Sequence, residues 1–219
     1  DQLSPEEANL ILNAGHAITP NSTDDGKMNV NSQLTKRLVD IIKQLDPTRP
    51  VTAGCNEPSP ENLLFKSNAL DLIGYNYHIK DIKDVPKNFP GKPFIMTESV
   101  SALQTRGFYM MPSDSVYKAP EEWWLPYSNP TFMCSAYDNM HASWSSTHES
   151  TWNAVKNNHF VSGQFVWTGW DYLGEPTPYG FPARSSYFGI IDLAGFPKDI
   201  YYMYQSEWTQ KPVLHLFPH

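Results

Sequence analysis

The sequence predicts an α/β fold built on a parallel sheet, and three observations carry that expectation. Short apolar runs recur at Arg49–Gly54, Leu70–Tyr77, residues 93–98 and Gly163–Trp167. Segments long enough for a crossover separate most of them, and helix-length patterns with helical period stand between or beside them. Several runs end in polar or aromatic residues, as strands of an α/β barrel do at their C-terminal ends. About four such strands are half of an eight-stranded barrel. The expected architecture is therefore the C-terminal half of a (β/α)8 TIM barrel, with intervening helices and long loops.

In chain order, Ser4-Pro5-Glu6-Glu7 reads as a helix start, with Ser4 as cap and Pro5 in the first turn. Residues 19–31 are rich in Asn, Asp, Gly and Ser and read as a surface loop. Ser32 is expected to cap a second helix. Its apolar positions Leu34, Leu38, Ile41, Ile42 and Leu45 fall at helical spacing, and Asp46-Pro47 stops it. A short helix is expected between Glu61 and Ser67, another within 132–158, chiefly Ser146–Asn157, and a last one over Asp199–Trp208. Residues 101–130 lack helical period and are rich in Pro and aromatics. A loop of that length in a compact domain is usually functional or disordered, and its aromatics favour a packed loop over a site.

Composition narrows the function. The chain has 16 basic and 23 acidic residues, a net charge of −7, without a basic stripe for nucleic acid or anionic membrane. No apolar run approaches a membrane span. Two cysteines, Cys55 and Cys134, define no disulfide framework. Seven Trp, twelve Tyr and eleven Phe supply either a large aromatic core or a sugar site, since aromatic faces stack on pyranose C–H faces. His141 and His148 stand seven apart without a third ligand, so no metal and no cofactor are expected. Arg106, His141 and His148 are otherwise ordinary loop or helix residues that could reach a site.

Three stretches carry the chemistry. Lys92-Pro93-Phe94-Ile95-Met96-Thr97-Glu98-Ser99 places a carboxylate at the end of an apolar strand. Glu is rarely buried alone, so Glu98 is either a salt-bridged core group or a catalytic one. Gly74-Tyr75-Asn76-Tyr77-His78 and Phe165 through Pro176 repeat the pattern at two further strand ends, carrying Tyr77 and Trp167. Charges are costly to bury, so Asp171 and Glu175 are either solvated or committed to a partner or ligand.

Together with Asp46-Pro47-Thr48-Arg49-Pro50-Val51, Ser186 through Asp192 and Gly195 through Trp208, these stretches resemble glycoside hydrolase family 2, in its β-galactosidase branch. The resemblance runs from about residue 32 to the end. It implies a retaining glycosidase with Glu98 as nucleophile, Tyr77 orienting it by a hydrogen bond, and Trp167 flooring the sugar subsite. Asp171 and Tyr172 are candidate sugar-reading residues. Ser101 stands where many relatives carry a sugar-contacting His, which leaves the galactose assignment less firmly anchored. The partner it implies is a carbohydrate with β-linked galactose. β-Mannosidase and β-glucuronidase remain as alternatives, although the Asn-x-Lys pair of the glucuronidases is missing. A non-catalytic sugar-binding half-barrel is the alternative outside enzymes.

A retaining glycosidase needs a second carboxyl group as acid/base. Asn56-Glu57 offers one, but a single strand separates Glu57 from Glu98 where the family has two, so Glu57 reads as a loop residue. The expected acid/base Glu then lies in an N-terminal barrel half outside residues 1–219. The chain reads as one partial barrel domain, strands five to eight, truncated at both ends. Its open edges call for the missing half or a second copy, so a homo-oligomer is allowed. The compartment stays open, with a secreted or periplasmic setting slightly favoured over the cytoplasm.

Overall fold

The computed structural model describes residues 29–127 and 133–218. The expected helix at Ser4 and most of the loop at 19–31 lie outside them. The described residues form two compact units. The first runs to Glu98 and includes Ala154–Gln164; the second takes Ser99–Asn153 and the chain from Phe165 onward.

The first unit opens with α1 (Val30–Leu45). Its cap is Asn29, whose side chain accepts from the Asn31 N–H, rather than Ser32. Ser32 lies inside the helix and donates to Leu63 O at 2.8 Å. The helix ends at Asp46, as expected before a proline. Its burial is the reverse of its hydrophobic pattern. Ser32, Thr35 and Val39 are buried, whereas Leu34, Leu38 and Ile41 are 53%, 52% and 43% exposed. Val39 packs with Val51 and Leu70, and with Leu64 of the short helix α2 (Leu63–Lys66).

Three parallel strands form the sheet of this unit, in the order β1 (Ile73–Asn76), β2 (Phe94–Glu98), β5 (Val161–Gln164). All four residues of β1 are buried. Gly74 is required there, because a Cβ would lie 2.7 Å from Ala53 O and 2.8 Å from Thr97 Cγ2. Phe94 and Met96 of β2 are fully buried. A 3-10 helix (Ile79–Asp84) and α3 (Val85–Asn88) make the crossover from β1 to β2.

Two of the four expected strands differ. Arg49–Gly54 forms no ladder with β1, although Asp71 N–H donates to Val51 O at 2.9 Å and Asn76 N–H to Cys55 O at 2.8 Å. Side chains take positions a backbone ladder would use: Asp71 Oδ2 accepts the Val51 N–H at 2.7 Å, and Thr52 Oγ1 donates to Leu72 O at 2.9 Å. The last strand ends at Gln164, so Phe165 to Trp167 lie beyond it.

In the second unit, residues 101–127 are largely irregular. The two-residue strand β3 (Tyr117–Lys118) pairs in parallel with β4 (Met140–His141). Its core holds Leu103, Ala119, Cys134, Met140, Ala142 and Phe188, with Trp144, Trp167, Tyr172 and Tyr187 packed against it. The helix α4 (His148–Lys156) begins in this unit and crosses into the first. His141 therefore sits on a strand and His148 at a helix start. The helix α5 (Asp199–Trp208) matches its expected bounds and buries Ile200 and Tyr204.

Candidate active site

In the first unit the end of the sheet is built around Glu98. Along β1 and β2 the register runs Ile73↔Phe94, Gly74↔Ile95, Tyr75↔Met96 and then skips Thr97 to pair Asn76 with Glu98. A bulge of this kind re-aims side chains beside it. Tyr77 follows with φ at +61°, a left-handed conformation that costs energy for a residue with a side chain. Tyr77 is held from both ends: its N–H donates to Glu98 O at 2.7 Å, and its hydroxyl donates to Glu98 Oε2. The tyrosine–carboxylate hydrogen bond expected from sequence is thus present. The skipped Thr97 donates through Oγ1 to Asn76 Oδ1 at 2.7 Å, and Asn76 Nδ2 donates to Asn56 Oδ1 at 2.9 Å. This polar chain, buried at Asn76 and exposed at Asn56, braces the turn that carries Tyr77.

Glu98 is partly exposed. Among the described residues no cation pairs with it, and its Oε1 accepts no hydrogen bond. The core salt-bridge reading of Glu98 therefore has no support there. A carboxylate held by a phenol on one oxygen and open on the other can act as a nucleophile or a base. Glu57 lies in the loop before α2, where its main-chain oxygen accepts from Asn62 Nδ2 at 3.2 Å. Its own Oε2 is buried and has no hydrogen-bond partner among the described residues. A cavity of about 210 Å³ lined by Phe65, Leu70, Ile73 and Phe89 sits at the N-terminal ends of β1 and β2, the opposite end from Glu98.

The second unit carries the other expected residues. Trp167 and Tyr172 are half-buried and meet edge to face, with centroids 6.0 Å apart. The Tyr172 hydroxyl donates to Glu175 Oε2 at 3.3 Å, and its N–H to Ser186 Oγ at 3.1 Å. Asp171 turns inward instead: it is 9% exposed, and its Oδ1 accepts from Lys198 Nζ at 2.8 Å and Gly189 N–H at 2.8 Å. Burial pushes the Asp171 carboxyl up and the Lys198 ammonium down, each against the attraction of its partner. Ser101 is 1% exposed, and its main chain ties it in: its N–H donates to Ser145 Oγ at 2.6 Å, and its carbonyl accepts from Ala142 N–H at 2.9 Å.

Arg106 is spent on the surface. Its Nε donates to Asp192 Oδ2 at 2.8 Å, and its guanidinium lies 4.6 Å over the Phe196 ring. His148 is buried, its Nδ1 lying 2.9 Å from the Tyr204 hydroxyl, and burial lowers it to about 3. Asp138 caps α4 from ten residues upstream, accepting from the His148 and Glu149 N–H groups, and desolvation raises it to about 6. Lys198 and Asp138 were not singled out by sequence. Each acts through a residue far away in the chain, and the one available signal was a charge inside an otherwise apolar or aromatic stretch. Among the described residues no group of three or more His, Cys, Asp and Glu could hold a metal ion. No helix among them is long and apolar enough to cross a membrane.

No family model matches the chain. It is 64% identical over all 219 residues to beta-galactosidase BoGH2A of Bacteroides ovatus, and covers 26% of that protein. Among solved structures it is similar to a beta-glycosidase from Bacteroides vulgatus, at 31% identity and a TM-score of 0.66 over 93% of this chain and 26% of that one. A β-D-glucuronidase from Dictyoglomus thermophilum matches 83% of this chain and 29% of its own, with a TM-score of 0.58 at 18% identity, a likeness of fold alone. The chain thus spans about a quarter of the length of these relatives. Its relatives are glycoside hydrolases. Over its whole length the chain is similar to a member of glycoside hydrolase family 2.

Proposed function

We propose that this chain contributes the nucleophile side of a retaining β-glycosidase site that acts on β-linked galactose. The observation that carries the reading is the Tyr77 hydroxyl bound to Glu98, at a parallel strand end where no cation among the described residues competes for the carboxylate. In the first step a Glu98 oxygen bonds to the anomeric carbon as the glycosidic oxygen departs with a proton from the acid/base. In the second, water deprotonated by that same acid/base displaces Glu98 and returns the sugar with its original anomeric configuration. Tyr77 holds the nucleophile in line throughout.

Trp167 and Tyr172 supply the aromatic surface on which a pyranose stacks. Ser101 contributes to the local frame. The preference for galactose rests on the 64% identity to a beta-galactosidase. The acid/base is proposed to lie in the remainder of the polypeptide, together with the strands that complete a (β/α)8 barrel. The exposed Leu34, Leu38 and Ile41 stripe of α1 supports that reading, since an apolar stripe at helical spacing ordinarily faces a packed neighbour. Glu98→Gln in the full-length polypeptide tests the reading. Turnover of an aryl β-galactoside should vanish with the fold intact, and NMR of the wild-type reaction should show the β-anomer forming first. Undiminished turnover in the variant, or the α-anomer first, would refute it.

A further inference from the structure

We propose that Lys198 is a positioning residue, whose buried ammonium sets the loop from Trp167 to Tyr172 and thereby the aromatic surface offered to the sugar. The inference rests on the reading of that surface given above. Lys198 is 0% exposed. An ammonium has three donors, and here the three meet three separate segments: Gln104 O at 2.6 Å, Asp171 Oδ1 at 2.8 Å and Tyr187 O at 3.2 Å. Gln104 lies on the segment that leaves Glu98, Asp171 within the Trp167–Tyr172 loop, and Tyr187 on the segment that pairs with that loop.

The surrounding hydrogen bonds converge on the same point. Thr168 N–H donates to Phe188 O at 3.1 Å, Ile190 N–H to Thr168 O at 3.0 Å and Asp171 N–H to Ile191 O at 2.9 Å. Lys198 N–H closes the series on Ile190 O at 3.0 Å. Gly189 lets the two segments touch, because a Cβ there would collide with the backbone of Trp170 and Asp171. Packing alone does not call for a charge in this place. Buried ion pairs replaced together by apolar groups are often tolerated, whereas removing one partner leaves an uncompensated charge. What a buried ammonium with directional donors adds is a single geometry for the three segments it joins. Trp167 stands four residues before Asp171, and Tyr172 directly after it, so both inherit that geometry.

The test uses the full-length polypeptide and an activated 2-deoxy-2-fluoro-β-galactoside, with labelling of Glu98 followed by mass spectrometry. In Lys198→Met, Glu98 should still be labelled, with the half-saturating concentration raised at least tenfold and the saturating rate changed less than threefold. Lys198→Arg should recover part of the affinity. The double variant Lys198→Met/Asp171→Leu guards against a simple folding defect: it should regain thermal stability without regaining the affinity. Wild-type half-saturation in folded Lys198→Met, or its return in the double variant, would reduce Lys198 to a packing role and overturn the proposal. Absence of label on Glu98 in the wild type would refute the nucleophile reading itself, an outcome read before any variant is made.

Discussion

Glu98 and Asp171 are both carboxylates at the ends of apolar runs, and the protein treats them in opposite ways. Glu98 keeps one oxygen on a phenol and the other unbonded among the described residues. Asp171 gives an oxygen to a buried ammonium and a backbone N–H. The difference matches the proposed roles, in which Glu98 is left available for chemistry and Asp171 is committed to architecture. A neutral donor orients a carboxylate without neutralising it, while an ion pair in a dry site consumes the charge.

Substitutions can break that contrast. Glu98→Gln should lower turnover on the order of 10⁴-fold or more and change stability by less than about 1 kcal/mol, since no ion pair is lost. Lys198→Met should show the reverse balance. Stranding Asp171 is expected to cost about 3–5 kcal/mol of stability, with Asp171→Leu in the same chain recovering most of it. Thermal unfolding alongside steady-state kinetics separates the two. Equal stability losses at both sites would mean that Glu98 carries a structural charge after all.

Acid sharpens the picture in the second unit. His148 is buried neutral with its value depressed to about 3, so the unfolded chain takes up a proton first as pH falls through 6.5. Its contribution to stability is complete above that point and is lost progressively down to about pH 3. Asp138, raised to about 6 by burial, works the other way and favours the fold on acidification between about pH 6 and its unfolded value near 3.8. The comparison of wild type with His148→Gln isolates the histidine. The stability advantage of the wild type should shrink by roughly 3 kcal/mol between pH 6.5 and pH 4. A pH-independent difference would mean that His148 is solvated or charged in the fold.

The smallest expected effect is at Tyr77. Tyr77→Phe keeps the ring and removes a hydrogen bond to a charged group, with a cost of about 1.5–3 kcal/mol. Expressed in kcat, this is roughly 10- to 10²-fold. A loss confined to KM would place Tyr77 in sugar binding rather than nucleophile alignment.

The parts of this account legible in the sequence are those set by short-range pattern. The apolar run Phe94–Met96 defined β2, and the start and end signals around Asp199–Trp208 defined α5 within its observed bounds. Periodicity also found α1, yet said nothing of its orientation, because a hydrophobic stripe specifies a partner without saying where that partner is. The strand expected at Arg49–Gly54 failed because Asp71 and Thr52 side chains took bonds that a ladder would use, a substitution that no propensity encodes. The Glu98–Tyr77 pair came from resemblance, joined to a strand-end position that periodicity did supply. The Lys198–Asp171 pair was illegible: the residues are 27 apart, and neither position alone says that the other will be buried beside it.

The most direct test of Glu98 as nucleophile is covalent trapping in the full-length polypeptide. An activated 2-deoxy-2-fluoro-β-galactoside should add one fluorosugar per chain, and the modified peptide should carry it on Glu98. A label on Glu57 or elsewhere, or inhibition without a covalent adduct, would contradict the assignment on which the proposed mechanism stands.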